Sequence, residues 1–197
     1  MKNLYIIGGS GTGKTTLAKN LQEWYPKKFK RIVQFTTREK REGETEGVDY
    51  NFITHAQWKE YFVNKNFFES IEFQFGKGKE YGCLFSQLEK EKWNVLVMSI
   101  EGLFSGLKNS TKEDETLIFH IIADVDPDIM RNERNYIIEQ NYNISVLRTI
   151  FNDFKESFVF SNTNKPKYIE ISLSQLKEIR NSKEKILKFL FGDEDAC

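Results

Sequence analysis

The chain has 197 residues, and its 29 Lys plus Arg balance its 29 Asp plus Glu, so the formal net charge is zero. This balance argues against a dedicated nucleic-acid binder and against a polybasic membrane binder. No apolar run approaches the roughly 18 residues of a membrane span, no signal-peptide pattern precedes the first glycines, and the two cysteines lack metal-ligand spacing, which together predict one cytoplasmic domain.

Short apolar runs alternate with helical patterns along the chain, which is typical of an α/β fold. Strands are predicted at residues 4–7, 31–36, 49–53, 67–75, 95–98, 117–122 and 157–160, and those at 4–7, 95–98 and 117–122 are predicted to be buried. Helices are predicted at 14–24, 55–64, 84–91, 127–140, 144–156 and 172–191, and an acidic tail at 192–197. Thr54 and Gln57 have the spacing of a capping box, which predicts a helix start at His55.

A glycine-rich loop separates the first predicted strand from the first predicted helix. Residues 8–15 read Gly-Gly-Ser-Gly-Thr-Gly-Lys-Thr, which fits the motif G-x-x-x-x-G-K-[ST] in full. The complete motif and its flanks disfavour the alternative, a glycine-rich turn with an incidental lysine. Backbone N–H groups of such a loop converge on phosphate oxygens, and the helix directs its positive end at the same anion. The residues predicted to bind ATP are Gly8, Ser10, Gly11, Thr12, Gly13, Lys14, Thr15 and Thr16, with Lys14 on the β- and γ-phosphates and the Thr15 hydroxyl on Mg²⁺.

Two arginines, Arg38 and Arg41, stand three residues apart after the second predicted strand. Guanidinium groups at this spacing can clamp a phosphate through several charge-assisted hydrogen bonds. Charge alone favours the alternative, a solvated charged loop.

The stretch around these arginines resembles the T-T-R-x-x-R-x-G-E-x-x-G-x-D-Y signature of the guanylate kinase family. Residues 36–50 read Thr-Thr-Arg-Glu-Lys-Arg-Glu-Gly-Glu-Thr-Glu-Gly-Val-Asp-Tyr. The phosphate loop lies at the matching distance upstream. Phe68-Glu69 and Tyr81-Gly82 are similar to the F-x-E and Y-Y-G elements of the family. A weaker likeness continues through the rest of the chain, so the resemblance covers nearly its whole length.

The resemblance implies a domain organisation and a set of monophosphate-binding residues. It implies a P-loop NTPase fold with a parallel sheet core and helices on both faces, divided into a core (1–33, 87–125 and 157–191), a small inserted monophosphate-binding subdomain (about 34–86) and a helical lid (about 126–156). The residues implied to hold the phosphate of the monophosphate are Arg38, Arg41, Tyr50 and Tyr81, with Glu69 on the guanine edge and Glu44 in a supporting role.

The resemblance also implies catalytic residues in the lid. Lid arginines would fold over the phosphates and act beside Lys14 and Arg38, and the candidates are Arg131, Arg134 and Arg148. Their spacing departs from the family pattern, and a plain helix surface accounts equally well for each of them. Asn162 falls near the position of an asparagine that the family uses close to adenine.

Four positions depart from the family pattern on the base and metal side. Gln34 and Cys83 stand where the family has serine or threonine, and Val97 and Ser99 replace two aspartates. Glu69 still favours guanine, because a carboxylate accepts two bonds from guanine N1–H and N2–H₂ and would repel the lone pair of adenine N1. Gln34, Cys83 and Ser99 are therefore predicted to belong to the monophosphate site. Drift on a tolerant pocket wall is the alternative for Gln34 and Cys83.

These features predict a nucleoside-monophosphate kinase that transfers the γ-phosphate of ATP, with Mg²⁺, to GMP or dGMP. One alternative keeps this chemistry and uses a modified purine (deoxy)nucleotide or another phosphorylated ribose as the acceptor. A second alternative is a non-catalytic guanylate-kinase-like module that binds protein partners. The predicted partners are small-molecule nucleotides, without nucleic acid or membrane, and the expected state is a monomer or a homodimer.

Overall fold

The structure, a computed structural model, describes residues 1–9, 11–73, 78–122 and 166–193. The described strands are β1 (Lys2–Gly8), β2 (Phe29–Arg31), β3 (Phe35–Thr36), β4 (Asn51–Phe52), β5 (Phe67–Phe73), β6 (Lys79–Leu84), β7 (Trp93–Val97), β8 (Glu115–Ile122) and β9 (Lys167–Ser172). The described helices are α1 (Lys14–Trp24), α2 (His55–Val63), α3 (Ile100–Lys108), α4 (Leu173–Ile179) and α5 (Lys183–Phe191). No helix in these ranges is long and apolar enough to cross a membrane.

The larger sheet has five parallel strands in the order β2-β7-β1-β8-β9. Its central strand, β1, is buried on both faces, and successive side chains of a strand point to opposite faces. Leu4 and Ile6 pack with α1, α4 and α5 on one face, whereas Tyr5 and Ile7 pack with α3 on the other. The predicted α/β fold with a parallel sheet and helices on both faces is therefore confirmed.

The smaller sheet has four strands in the order β4-β3-β6-β5, and all of them fall within residues 34–86. Helix α2 covers this sheet through a cluster formed by Trp58, Phe67 and Leu84. The capping box predicted at the start of α2 is confirmed: Thr54 accepts from the Gln57 amide, and the Gln57 side chain accepts from the Thr54 amide. Phe68 of β5 joins the α3 side of the core, which connects the two sheets.

The predicted single strand at 31–36 is wrong, because the chain leaves one sheet for the other inside this run. The Ile32 amide still donates to the Val95 carbonyl of the larger sheet, at 2.9 Å. Two residues later, the Gln34 carbonyl accepts from the Asn51 amide, also at 2.9 Å, at the edge of the smaller sheet. An unbroken apolar run does not reveal that its hydrogen-bonding partners change.

Two predicted helices also need correction. Residues 84–91 form only a 3₁₀ turn at Phe85–Gln87, because the Gln87 side chain accepts from the Leu84 amide and donates to the Val33 carbonyl. The helix predicted at 172–191 is divided into α4 and α5, and Ser182 begins the second by accepting from the Lys185 amide.

Two elements of the structure were not predicted, and three predicted elements fall on residues that the structure does not describe. Helix α3 and strand β9 were not predicted, and β9 is the last described strand of the larger sheet. The strand predicted at 157–160 and the helices predicted at 127–140 and 144–156 lie outside the described residues, as does most of the tail.

Gly82→Ala is expected to destabilise the fold, since Gly82 lets β5 and β6 lie in close contact. An added methyl would lie 2.5 Å from the Glu69 carbonyl oxygen and 3.0 Å from the rings of Phe67 and Trp58. Backbone and packed rings cannot move apart cheaply, so we expect a loss of about 1–3 kcal/mol in the free energy of unfolding. Urea denaturation followed by circular dichroism measures it. Glu72→Ala, a substitution at an exposed position of the neighbouring strand β5, is the control. A loss no larger than that of the control would contradict the packing explanation.

Candidate active site

The phosphate loop begins where β1 ends, and its first glycine is required by packing. Gly8 has a φ of +147°, and a methyl on it would lie 2.5 Å from the Ile121 carbonyl oxygen of β8. A side chain at this position would therefore separate β8 from the loop. Gly13, with a φ of +88°, begins α1, and its carbonyl accepts from the Leu17 amide. The strand–loop–helix arrangement predicted from the motif is present.

The interior of the loop is occupied by its own lysine. The Lys14 ammonium donates to the carbonyls of Gly8 and Gly9 at 2.8 and 2.6 Å, and the buried Thr12 hydroxyl donates to Gly9 at 2.7 Å. Burial lowers the pKa of Lys14 to about 8. The ammonium therefore binds backbone carbonyls of its own loop, and a bound phosphate can take it over. Thr15 and Thr16 are exposed at the start of α1, and Ser10 lies outside the described residues.

Arg38 lies at the centre of the predicted binding site for the phosphate of the monophosphate. It is only 6% exposed, and its guanidinium donates to Glu44 Oε1 at 2.6 Å and to the Glu39 carbonyl at 2.7 Å. The Tyr50 ring lies 5.3 Å from the guanidinium carbon, and Tyr81 is hydrogen-bonded to the same group. The structure thus brings together Arg38, Glu44, Tyr50 and Tyr81, as the sequence predicted.

Arg41 reaches this cluster through its backbone. Its amide donates to Glu44 Oε2 at 2.8 Å, while its side chain is exposed. Glu44 therefore holds both arginine positions with its two oxygens, which accounts for its predicted supporting role. Hydrogen bonding to Arg38 lowers the pKa of Glu44. For Arg38, burial alone would lower the pKa. The hydrogen bond to Glu44 and the negative charge of Glu44 outweigh this effect, so the pKa of Arg38 is raised.

The segment that carries these arginines is fixed to the larger sheet and to the helix of the phosphate loop. Lys19 of α1 forms a salt bridge with Asp49 at 3.1 Å. Arg31 of β2 donates to the Val48 carbonyl at 2.7 Å. Both contacts reach the two residues that precede Tyr50, so α1 and the arginine segment are held by direct contact.

Glu69 is a carboxylate with no exposed surface. The Gln34 amide nitrogen donates to Oε1 and Oε2 at 3.2 and 3.1 Å, and the Cys83 thiol donates to the same group. Burial raises the pKa of Glu69 to about 7, even though these hydrogen bonds favour the charged form. The structure therefore brings together Gln34, Glu69 and Cys83, three residues that the sequence assigned to one site.

Gly102, on the first turn of α3, is a member of this site that the sequence did not predict. A methyl on Gly102 would lie 2.8 Å from Glu69 Oε1, so only glycine lets α3 approach the carboxylate this closely. Ser99 lies one turn before it and accepts from the Gly102 amide at 3.3 Å. Ser99 thus begins the helix that closes the Glu69 site. The signal available in the sequence was Ser99, a residue type that often begins a helix, followed three residues later by Gly102.

Arg180, the residue that follows α4, is a second one the sequence did not single out. Its Nη1 lies 3.9 Å from the position that a methyl on Gly13 would take, so a positive charge stands at the outer edge of the phosphate loop. No sequence pattern connects a C-terminal arginine with a loop more than 160 residues earlier. The predicted site residues Arg131, Arg134, Arg148 and Asn162 lie outside the described residues.

The helix that follows the phosphate loop offers one side-chain oxygen that suits a metal ion. Among the described residues, no group of three or more His, Cys, Asp and Glu is placed to hold a metal ion. The exposed Thr15 hydroxyl offers a hard oxygen ligand, which suits Mg²⁺. Val97 and Ser99 offer no carboxylate.

The free energy of unfolding should fall as the pH rises through the range in which Glu69 ionises. Below about pH 4.5 the carboxyl is protonated in both the folded and the unfolded chain, whereas between pH 4.5 and 7 only the unfolded chain loses the proton. The folded state therefore loses up to about 3 kcal/mol by pH 8 relative to pH 4.5. Urea denaturation between pH 5 and pH 8 measures this, with Glu69→Gln as the control that lacks the ionisation. Parallel pH profiles for both proteins would contradict it.

Comparisons with known proteins show the family of the chain. The Guanylate kinase family model matches residues 1–182. The guanylate kinase of Chlamydia trachomatis is 36% identical over 102 residues (50% of this chain and 49% of that protein), and that of Rhodopirellula baltica is 32% identical over 119 residues (58% and 56%). These matches span about half the length of each relative. The crystal structure of guanylate kinase from Anaplasma phagocytophilum shares the fold, with a TM-score of 0.63 and 21% identity over 94% of this chain and 83% of that one. Since the family model covers most of the sequence, the chain belongs to the guanylate kinase family.

Proposed function

We propose that the protein transfers the γ-phosphate of ATP to GMP or dGMP, giving ADP and GDP or dGDP. The observation that carries this proposal is the contact between two anion-binding elements. Helix α1 begins at the phosphate loop, and its Lys19 binds Asp49 in the segment of Arg38 and Arg41. Phosphoryl transfer requires two anionic substrates in line, so two neighbouring cradles are what the reaction needs.

The ATP side uses the loop and its lysine. When the triphosphate enters, Lys14 exchanges the carbonyls of Gly8 and Gly9 for phosphate oxygens, and the backbone amides of the loop hold the same oxygens. Anionic oxygens nearby also favour the charged form of Lys14, which offsets the effect of burial on its pKa. Thr15 would hold Mg²⁺ together with the nucleotide and water, and the ion supplies neutralisation of phosphate charge.

The acceptor side uses Arg38 and Arg41. Arg38 is oriented in advance by Glu44 and Tyr50, so little side-chain freedom is lost when a phosphate binds. Arg41 is exposed and can close over the same phosphate. Together they reduce the repulsion between the two substrates. The reaction needs no general base, because the attacking phosphate oxygen is already ionised.

The base is recognised by Glu69. Its two oxygens share one donor, the Gln34 amide nitrogen, and guanine would offer them two, N1–H and N2–H₂. Gln34 and Cys83 at this carboxylate favour one further candidate acceptor, a modified purine (deoxy)nucleotide, since the Gln34 amide can both donate and accept. A coupled assay of ADP release over a panel of monophosphates separates the two, and equal or faster turnover of another acceptor would favour the second.

The proposal assigns a role to each segment of the chain. Residues 34–86 would bind the monophosphate, and residues 126–156 would supply an arginine to the transferring phosphate. A non-catalytic binding module is disfavoured by the intact Lys14 and Thr15 at the end of β1. Monomer or homodimer assembly and a cytoplasmic location stay predictions from the sequence.

Lys14→Ala should lower kcat by at least a hundredfold while the fold stays intact, because the transferring group loses its fixed positive charge. A coupled assay of ADP formation with GMP measures the rate, and circular dichroism checks the fold. Lys2→Ala is the matched control, since Lys2 is exposed at the opposite end of β1. A Lys14→Ala rate close to that of the Lys2→Ala control would refute the role of the loop lysine.

Arg41→Ala should raise the KM for GMP roughly tenfold, because one charge-assisted bond to the phosphate is lost. The KM for ATP should stay within about twofold of its original value. Lys40→Ala removes an exposed charge from the neighbouring position and serves as the control. If the KM for ATP moved and that for GMP did not, Arg41 would belong to the other substrate.

A further inference from the structure

Gln34 lies between a buried carboxylate and the surface. Its amide nitrogen is 3.2 Å from Oε1 and 3.1 Å from Oε2 of Glu69, so one group is hydrogen-bonded to both oxygens. Glu69 has no exposed surface, whereas Gln34 is partly exposed. Gln34 is thus the side chain through which this carboxylate can be reached.

The other sides of the carboxylate are closed by groups that cannot swing away. The backbone of α3 is so near that a methyl on Gly102 would lie 2.8 Å from Oε1. The Cys83 thiol, fully buried on β6, donates to the same carboxylate. Neither a helix backbone nor a short buried side chain has the rotamer freedom of a glutamine. A ligand that binds Glu69 must therefore displace Gln34.

The chemistry of the displaced contact resembles that of the incoming base. The amide group that faces Glu69 is the NH₂ of Gln34, which donates to the carboxylate oxygens. Guanine presents N1–H and N2–H₂ to the same two acceptors. We propose, on the basis of the function proposed above, that Gln34 is an internal competitor of the base, whose NH₂ holds both oxygens of Glu69 until a guanine nucleotide takes them.

This competition sets both affinity and selectivity. Binding of GMP exchanges one set of hydrogen bonds to Glu69 for another, so the affinity is lower than that of a site with nothing to displace. Without a nucleotide, Gln34 keeps a desolvated charge paired. Hypoxanthine has N1–H but no 2-amino group, so IMP can take one oxygen while Gln34 keeps the other. GMP therefore loses more to the competition than IMP does.

Gln34→Ser tests the proposal, because serine is too short to reach both oxygens. We expect the dissociation constant and the KM for GMP to fall roughly three- to tenfold. The gain for IMP should be smaller. Calorimetric titration of the full chain with GMP and with IMP measures binding without turnover. Gln34→Met keeps the side-chain volume but cannot donate a hydrogen bond, so it should show the same gain in GMP affinity. It replaces the serine variant if that variant folds poorly. Lys59→Ser, on the exposed side of α2, is the control.

The sign of the change decides the question. Weaker or unchanged GMP binding in both Gln34 variants would overturn the proposal, since a direct ligand or a passive wall gives that result. Equal gains in affinity for GMP and IMP would also overturn it, because Gln34 would then not compete for both oxygens of Glu69. Absence of GMP turnover in the parent protein would instead refute the proposed function, while the binding titrations would still measure the competition.

Discussion

The burial of the Glu69 carboxylate is the constraint on which the site depends. A desolvated charge is tolerated only with partners, and the chain supplies the Gln34 amide and the Cys83 thiol. Even so, the pKa of Glu69 is raised to about 7, which shows that burial outweighs these bonds. Burial of Glu69 therefore lowers the free energy of unfolding when the carboxyl is ionised, and it also fixes the position of the carboxylate.

The same constraint explains where glycine is needed around the site. Gly82 allows β6 to lie against the backbone of Glu69, and Gly102 allows α3 to lie against its carboxylate. A third glycine, Gly8, performs the corresponding task between the phosphate loop and β8. In each case a methyl would lie within 2.8 Å of an oxygen atom. Both candidate sites are therefore built by close backbone approach as well as by charged side chains.

The parts that sequence reasoning predicted correctly depend on local chemistry. The phosphate loop and α1 follow from a contiguous motif, and the α2 start follows from a capping box. The grouping of Arg38 with Glu44 and Tyr50 came from one contiguous signature, and the structure brings these residues into contact. What was missed depends on tertiary partners. Helix α3 contains two glycines, which lower helix propensity, and its position next to Glu69 is the reason for one of them. The pairing of Gln34 with Glu69 joins residues 35 apart in the chain, and no local pattern encodes it.

Helix α1 has a consequence for the spacing of the two candidate sites. Its first residue, Lys14, fills the phosphate loop, and Lys19 binds Asp49 beside the arginine segment. Five residues of α-helix rise about 7.5 Å, so a single continuous helix sets the distance between the loop and its contact with the arginine segment.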